Sequence, residues 1–432
     1  MVNYPMENIK NYISLIKHNV VYIYNKGFFH LLSANYVMSF FTFCSQLYIA
    51  NLLNPIDIGR IKILQSIFNI VSVVAVAGFD TSILRLCSID RSLGEKKYIF
   101  EAACKYVLFT IISAYIVMYI LSKFNLLSRD ILINKYAFLY LLSLIPSTYF
   151  ILFNKYLESI QYFKLIAKHQ IILRFFAVLV ILILTYVWSI YGYLIGVLFN
   201  FTISSVVFLI LIKIAMKNIN SEKVQNIFKL HWDFAKFAVF NNFVAQLVLT
   251  IDILIINYFL LKRELVGQYS FATNFIIGFN ILLITVQQVI VPFISNKSSN
   301  LSIIVVTIEK FQYLCRFIFT IIFIIGLIGV PIFIHFFFSS YSDSIILFII
   351  LFVAFYFRSL RILQWTVLLG IGPFKGVLYI NLLMFIINAF LSFKFLLLFG
   401  VKGVAFAQVI TSLISIFVTS IAYNRLIKEN NI

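Results

Sequence analysis

Acidic side chains are few. Asp and Glu together number 15 in 432 residues, against 34 Lys and Arg, and charged residues of both signs make up only 11% of the chain. Soluble globular domains carry about 25% charged residues, so an ordinary water-facing surface is excluded. Cysteine is scarce too. Cys44, Cys87, Cys104 and Cys315 are scattered with no C-x-x-C spacing, which argues against a disulfide framework and a thiolate zinc site. The five histidines are equally dispersed, so no metal site is expected. There is no G-x-x-x-x-G-K-[ST] loop, no H-E-x-x-H and no G-x-S-x-G, which removes the usual signatures of nucleotide, zinc-protease and serine-hydrolase chemistry. No catalytic residue or cofactor is therefore expected, and work would come from an H+ or Na+ gradient or from downstream consumption of a product.

What the sequence has in abundance is apolar length. Hydrophobic residues make up 62% of it, more than a core of this size could hide from water. The apolar runs are continuous and about twenty residues long, as membrane-crossing helices require. Closed barrels would alternate apolar and polar residues instead. The predicted fold class is therefore an all-α polytopic membrane protein with about twelve transmembrane helices, over approximately 31–53, 63–87, 103–122, 135–156, 168–188, 191–212, 235–260, 268–294, 311–335, 344–369, 376–398 and 401–423. Turn signals at Asn54-Pro55, Ser339 to Ser344 and Gly370 to Gly376 separate several of them. Residues Met1 to Lys26 are polar and basic and do not read as a cleavable signal peptide.

A net charge of +19 could suggest nucleic acid, but in such a chain it reads as loop lysine and arginine held in the cytoplasm. With the N-terminus inside, inner segments carry 18 Lys and Arg and outer loops 9, which places both termini in the cytoplasm. Domains follow: a cytoplasmic segment over 1–30, a six-helix bundle over 31–212, a cytoplasmic linker over 213–234, a second six-helix bundle over 235–423 and a tail over 424–432. The halves echo each other near an offset of 208 residues. Gly59 matches Gly267, Glu101 matches Glu309, and Gly196-Val197 matches Gly403-Val404 at 207. An even number of helices per repeat gives both halves one orientation, with a substrate path at the repeat interface.

Charges inside spans are costly and point to function. Arg358 and Arg361 sit near the middle of the tenth span, three residues apart and so on one helical face, and Gln364 and Trp365 continue that stripe. Guanidinium forks bind phosphate oxygens bidentately, and a pair suits a diphosphate; structural pairing with Asp252 is the alternative. Asp252, in the outer half of the seventh span, could balance Arg358, bind a coupling H+ or Na+, or fix packing. Asp80 and Arg85 lie in the inner part of the second span, Asp80 as a second carboxylate that could couple an ion or balance charge, Arg85 at a mouth where a lipid headgroup would enter or snorkelling to the interface. Arg174, inside the fifth span, has the same ambiguity. Arg60, at the outer start of the second span, could take part in substrate release or be an ordinary loop charge, and Lys62 reads as an outer-loop charge. Asn35, Gln46, Asn241, Asn242, Gln246, Gln287 and Gln288 could bind sugar hydroxyls or join helices.

Several segments resemble a known family. In "LLNPIDIGRIKILQSIFNIVSVVAVAGFDTSILRL", Gly59, Gly78, Phe79 and Arg85 fill the pattern of bacterial polysaccharide flippases; Asp252, Gly267 and Tyr269 match a second signature, and Pro292, Gly400, Gly403, Ala405 and Ala407 a third and fourth. Over roughly 17–425 the chain resembles Wzx-type O-antigen and capsule repeat-unit flippases of the multidrug/oligosaccharidyl-lipid/polysaccharide exporter superfamily. Asn257 stands where the family usually has Gly, which leaves close packing there open. The resemblance implies a V-shaped pair of six-helix bundles with alternating access and a cationic cavity. It also implies a bacterial inner-membrane location, an undecaprenyl-diphosphate-linked oligosaccharide as cargo passing to the periplasmic leaflet, and a polymerase and chain-length regulator as pathway partners. Membrane lipids and no nucleic acid complete the expected partners.

Two other classes compete. A multidrug exporter of this fold would prefer an acidic cavity, whereas these spans carry more Arg than acid. An O-antigen polymerase would carry a large outer loop, and the longest loop, near 213–233, lies inside.

Overall fold

The computed structural model describes residues 28–259, 262–296, 301–371 and 374–429. The predicted cytoplasmic segment up to residue 27, the tip of the Gly370–Gly376 turn, and the side chains of Asn35, Gln288, Pro292 and Glu309 lie outside the described residues. Among the described residues the chain is helical and contains no strand.

Among the described residues seven helices are long and apolar enough to cross a membrane, and two bent pairs raise the number to nine. Two of these helices are themselves double. Phe163–Ala215 has 53 residues and Phe374–Glu429 has 56, or about 80 Å at 1.5 Å per residue, far beyond the roughly 30 Å of bilayer hydrocarbon. Each is broken by non-helical backbone, at Trp188-Ser189 and at Gly400. After each break the chain doubles back, so that Gly192 presses on the Leu184 carbonyl and Gly403 on that of Phe395. Only glycine, with no side chain, tolerates such a close approach. Each long helix is thus a hairpin of two spans. With Phe28–Leu52 as the first, the total reaches the predicted twelve.

The second span begins earlier than hydropathy suggests. Asn54 caps a helix over Pro55–Val76, its side chain accepting from the Asp57 N–H at 2.8 Å, with Pro55 opening the first turn. After a break at Ala77-Gly78 the chain continues as Phe79–Ser88. Ser92 caps the third span, Leu93–Lys123, and Asp130 caps the fourth, where Ile131–Leu141 and Leu144–Ser159 meet at 46°. The seventh, eighth and ninth spans are Ile227–Phe259, Arg263–Asn296 and Leu301–Phe337. In the tenth, Ser344–Leu360 and the helix from Ile362 are inclined by 55°, with Arg361 at the break.

Across the molecule the second span packs on the seventh and eighth, and the first on the eighth. The two glycines matched at an offset of 208 are in contact. A Cβ on Gly59 would lie 2.8 Å from the Arg263 carbonyl oxygen and 2.9 Å from the Gly267 N, and one on Gly267 would overlap the Pro55 carbonyl. This end, predicted to face outward, is tied by further bonds between the halves. Tyr341 donates to the Leu53 carbonyl at 3.1 Å, and Ser128 donates to Asn257 at 2.8 Å. Arg60 pairs with Asp57 and Asp130, and Arg263 lies 3.7 Å from Asp130. Asn257 therefore has a task of its own, donating to the Leu127 carbonyl and accepting from Arg263. At the other end Gly78 abuts Ala235, and buried His231 accepts from Ser82 at 2.7 Å while its other ring nitrogen donates to the Ile99 carbonyl.

Candidate functional site

A polar cavity with about 1260 Å³ of empty space, partly open to its surroundings, lies between the second span and the second half of the chain. Its lining is a set of helical stripes. The second span presents Lys62, Gln65, Ser66 and Asn69, spaced i, i+3, i+4 and i+7 on one face. The twelfth presents Gln408, Thr411, Ser412 and Ser415 at the same spacing. Gln246, Thr250 and Asp252 come from the seventh span, Tyr269, Thr273 and Asn280 from the eighth, Arg358 and Arg361 from the tenth, and Asn388 from the eleventh.

Three cations and one carboxylate therefore share this space. Asp252 is buried and held by a 2.6 Å bond from the Tyr269 hydroxyl and by the Ile253 N–H. Lys62 and Arg358 are its Coulombic neighbours, so it partly balances them. Among the described residues, however, neither guanidinium lies within 4.0 Å of a carboxylate. Arg358 Nε reaches its own Ala354 carbonyl at 3.4 Å. Arg361 Nη1 donates to Thr419 at 2.9 Å, its plane lies over Trp365 at 5.3 Å, and its Nε is buried with no acceptor. A guanidinium offers five N–H donors, so most of this capacity is left for a guest. Lys62 donates to Asn274 at 3.5 Å, and Thr411 Oγ1 is a further buried polar atom without a partner.

The break at Arg361 changes how the tenth span presents its charges. The two arginines share the cavity through a bend and not through one continuous face. Gln364, beyond the bend, accepts from Ser420 at 2.9 Å and ties the tenth span to the twelfth; it does not line the cavity. Arg174 lies elsewhere, in a separate cavity within the first six spans, bonded to Thr42. Arg85 is exposed and lies over Phe234 at 5.6 Å, and Asp80 is beside Thr81; neither lines the large cavity. Lys62 is the residue that sequence reasoning misplaced. Its start-of-span position and the polar stripe that it opens with Gln65, Ser66 and Asn69 were the available signals.

Comparison with known proteins gives a consistent picture. Residues 24–298 match the family described as polysaccharide biosynthesis protein. A search of curated protein sequences gave no match. Among solved structures, the chain is similar to a multidrug resistance MATE family transporter of the MOP superfamily in an inward-facing conformation, with a TM-score of 0.74, 12% identity, and 91% of this chain and 95% of that one covered. It is also similar to the lipid II flippase MurJ in an inward closed conformation, at 0.69 and 16% identity over 90% of this chain and 87% of the other. A third is a MOP superfamily transporter from Pyrococcus furiosus described as having a binding pocket of reverse polarity, at 0.65 and 10% identity over 92% and 94%. These likenesses establish the fold of that superfamily for a multi-pass membrane protein.

Proposed function

From the premise that this chain belongs to the polysaccharide biosynthesis protein family, we propose that it is a flippase for undecaprenyl-diphosphate-linked oligosaccharide repeat units of O-antigen or capsule type, moving them from the cytoplasmic to the periplasmic leaflet. The observation that carries this reading is the cavity in which Lys62, Arg358 and Arg361 meet with guanidinium donors unspent and, among the described residues, only Asp252 opposing them. Leaving two arginines in a low-dielectric wall is expensive. A diphosphate headgroup removes the cost by bidentate, charge-assisted hydrogen bonds. The surrounding amides and hydroxyls of Gln65, Asn69, Gln408 and Ser412 suit the hydroxyls of the first sugar, while the prenyl chain stays in lipid.

Alternating access then needs only two seals. The end holding Gly59 and Gly267 is closed in this structure, and opening it would release the headgroup on the predicted periplasmic side. Asp252 supports a coupling role for H+ or Na+, since a carboxylate that shares its cations with the cargo can exchange one partner for the other. A two-to-one excess of Lys and Arg in the predicted inner segments supports cytoplasmic termini in a bacterial inner membrane. A polymerase and a chain-length regulator would consume the product.

The test is translocation of a labelled lipid-linked oligosaccharide by the protein reconstituted in vesicles. Arg358→Ala and Arg361→Ala should each slow it by about tenfold or more, the scale of one lost charge-assisted contact. Exposed Lys394→Ala should leave it unchanged. Full activity in the double arginine variant would remove the site, and transport of organic cations in place of the glycolipid would remove the function.

A further inference from the structure

The cavity inside the first six spans encloses about 950 Å³ of empty space. It is the counterpart of the larger one. Thr42 and Thr250, Phe150 and Arg358, Asn200 and Gln408, and Ser204 and Ser412 stand 208 residues apart, one of each pair lining either cavity. The repeat has therefore built the same chamber twice and furnished it differently. Phe150 replaces one arginine, and a cation instead enters from the fifth span as Arg174.

Arg174 is half-buried, and its Nε donates to Thr42 at 3.0 Å, a contact that Nη2 shares. Among the described residues no carboxylate lies within 4.0 Å of it. Gln170, one turn earlier on the same helix and only 8% exposed, lines the cavity with a buried Oε1 that has no partner. A partly desolvated guanidinium beside an unsatisfied amide and the hydroxyls of Ser39, Thr42 and Ser204 is a site prepared for a guest of opposite charge that also donates hydrogen bonds. A dianion would meet one cation only, so the fit is to a single negative charge.

We infer that this cavity is a second anion site, taking one carboxylate- or phosphate-type oxyanion flanked by hydroxyls, with Arg174 as its charge partner and Gln170 Oε1 as an acceptor for a ligand hydroxyl. The inference rests on this cavity's own geometry and does not depend on what the larger cavity carries. A sugar acid and a free phosphate share the required chemistry.

The experiment is calorimetric titration of the full-length protein in lipid nanodiscs with D-glucuronate, inorganic phosphate and D-glucose. The Lys62→Met/Arg358→Gln/Arg361→Gln variant removes all three cations of the larger cavity, so anion binding that persists there reports on this one. Glucuronate or phosphate should bind that variant and glucose should not; the tighter of the two anions names the source. Adding Arg174→Gln should weaken the remaining binding about tenfold or more, and Arg174→Lys, which keeps the charge, should restore it to within a few-fold. Should the glutamine variant not fold, Phe150→Arg recreates the arrangement of the other half and should tighten phosphate binding about tenfold. Glucose binding as tightly as glucuronate, no residual anion binding, residual binding indifferent to Arg174→Gln, or no gain from Phe150→Arg would each overturn the inference.

Discussion

Substituting Gly267 by alanine should open the outer end of the molecule. The new Cβ overlaps the Pro55 carbonyl, at the start of the second span. The reciprocal change at Gly59 is milder, because its Cβ would sit 2.8 Å from the Arg263 oxygen and 2.9 Å from the Gly267 nitrogen, about half an ångström short of ordinary contact. All of the nearest obstacles in both cases are backbone or β-carbon atoms, which cannot rotate away, so the second and eighth spans must part. Overpacking of a tight contact costs roughly 1–3 kcal/mol, and a cost of that size moves a two-state equilibrium by about 5- to 150-fold. The larger overlap places Gly267→Ala at the upper end and Gly59→Ala at the lower. Spin labels on exposed Leu126 and Leu397, one in each half near this end, report the change as a longer inter-label distance in a cysteine-free background. The expected order of the open fraction is Gly267→Ala above Gly59→Ala above the parent protein. Identical distance distributions in all three would refute the reasoning that this backbone contact holds the seal.

Lys62→Met keeps the length of the side chain and removes its charge; binding of the diphosphate headgroup should fall about tenfold with little change in thermal stability, measured by headgroup titration and melting of the same preparation. Asn257→Gly, which restores the residue common in the resembled family, deletes the side-chain bonds to Ser128, Leu127 and Arg263 and should destabilise the protein by roughly 1–3 kcal/mol, since the buried Ser128 hydroxyl loses its acceptor and the Leu127 carbonyl its side-chain donor; an unchanged melting temperature would show that the network is incidental. Asp252→Asn should preserve headgroup binding or tighten it, because it removes a carboxylate competing for Lys62 and Arg358, while transport in vesicles ceases to respond to an imposed H+ or Na+ gradient. A variant that remains gradient-sensitive would assign coupling elsewhere.

Much of this was legible in the sequence. Continuous apolar runs gave the number of spans, and the arginines inside the tenth stood out because nothing else in that run is charged. Gly59 and Gly267 were recognisable as a pair through the near-constant offset that they share with Glu101 and Glu309 and with Gly196 and Gly403. Three features were not legible, for physical reasons. Hydropathy sees where lipid contact begins, not where a helix begins. Asn54 and Pro55 start the second helix about two turns before the apolar run, and Lys62 was therefore assigned to a loop. The bend at Arg361 leaves no proline or glycine to announce it. Finally, Arg174 and Arg358 look alike as buried charges in a string of letters, and only the packing of the helices shows that they open into different chambers.

The meeting of Gly59 with Gly267 also speaks to origin. In any assembly with twofold symmetry, a given position touches its own image only if it lies beside the rotation axis. Two equivalent glycines back to back thus locate the axis between the second and eighth helices, where two identical six-helix subunits would once have met before one chain carried both. At that line, bulk added to either glycine displaces both halves.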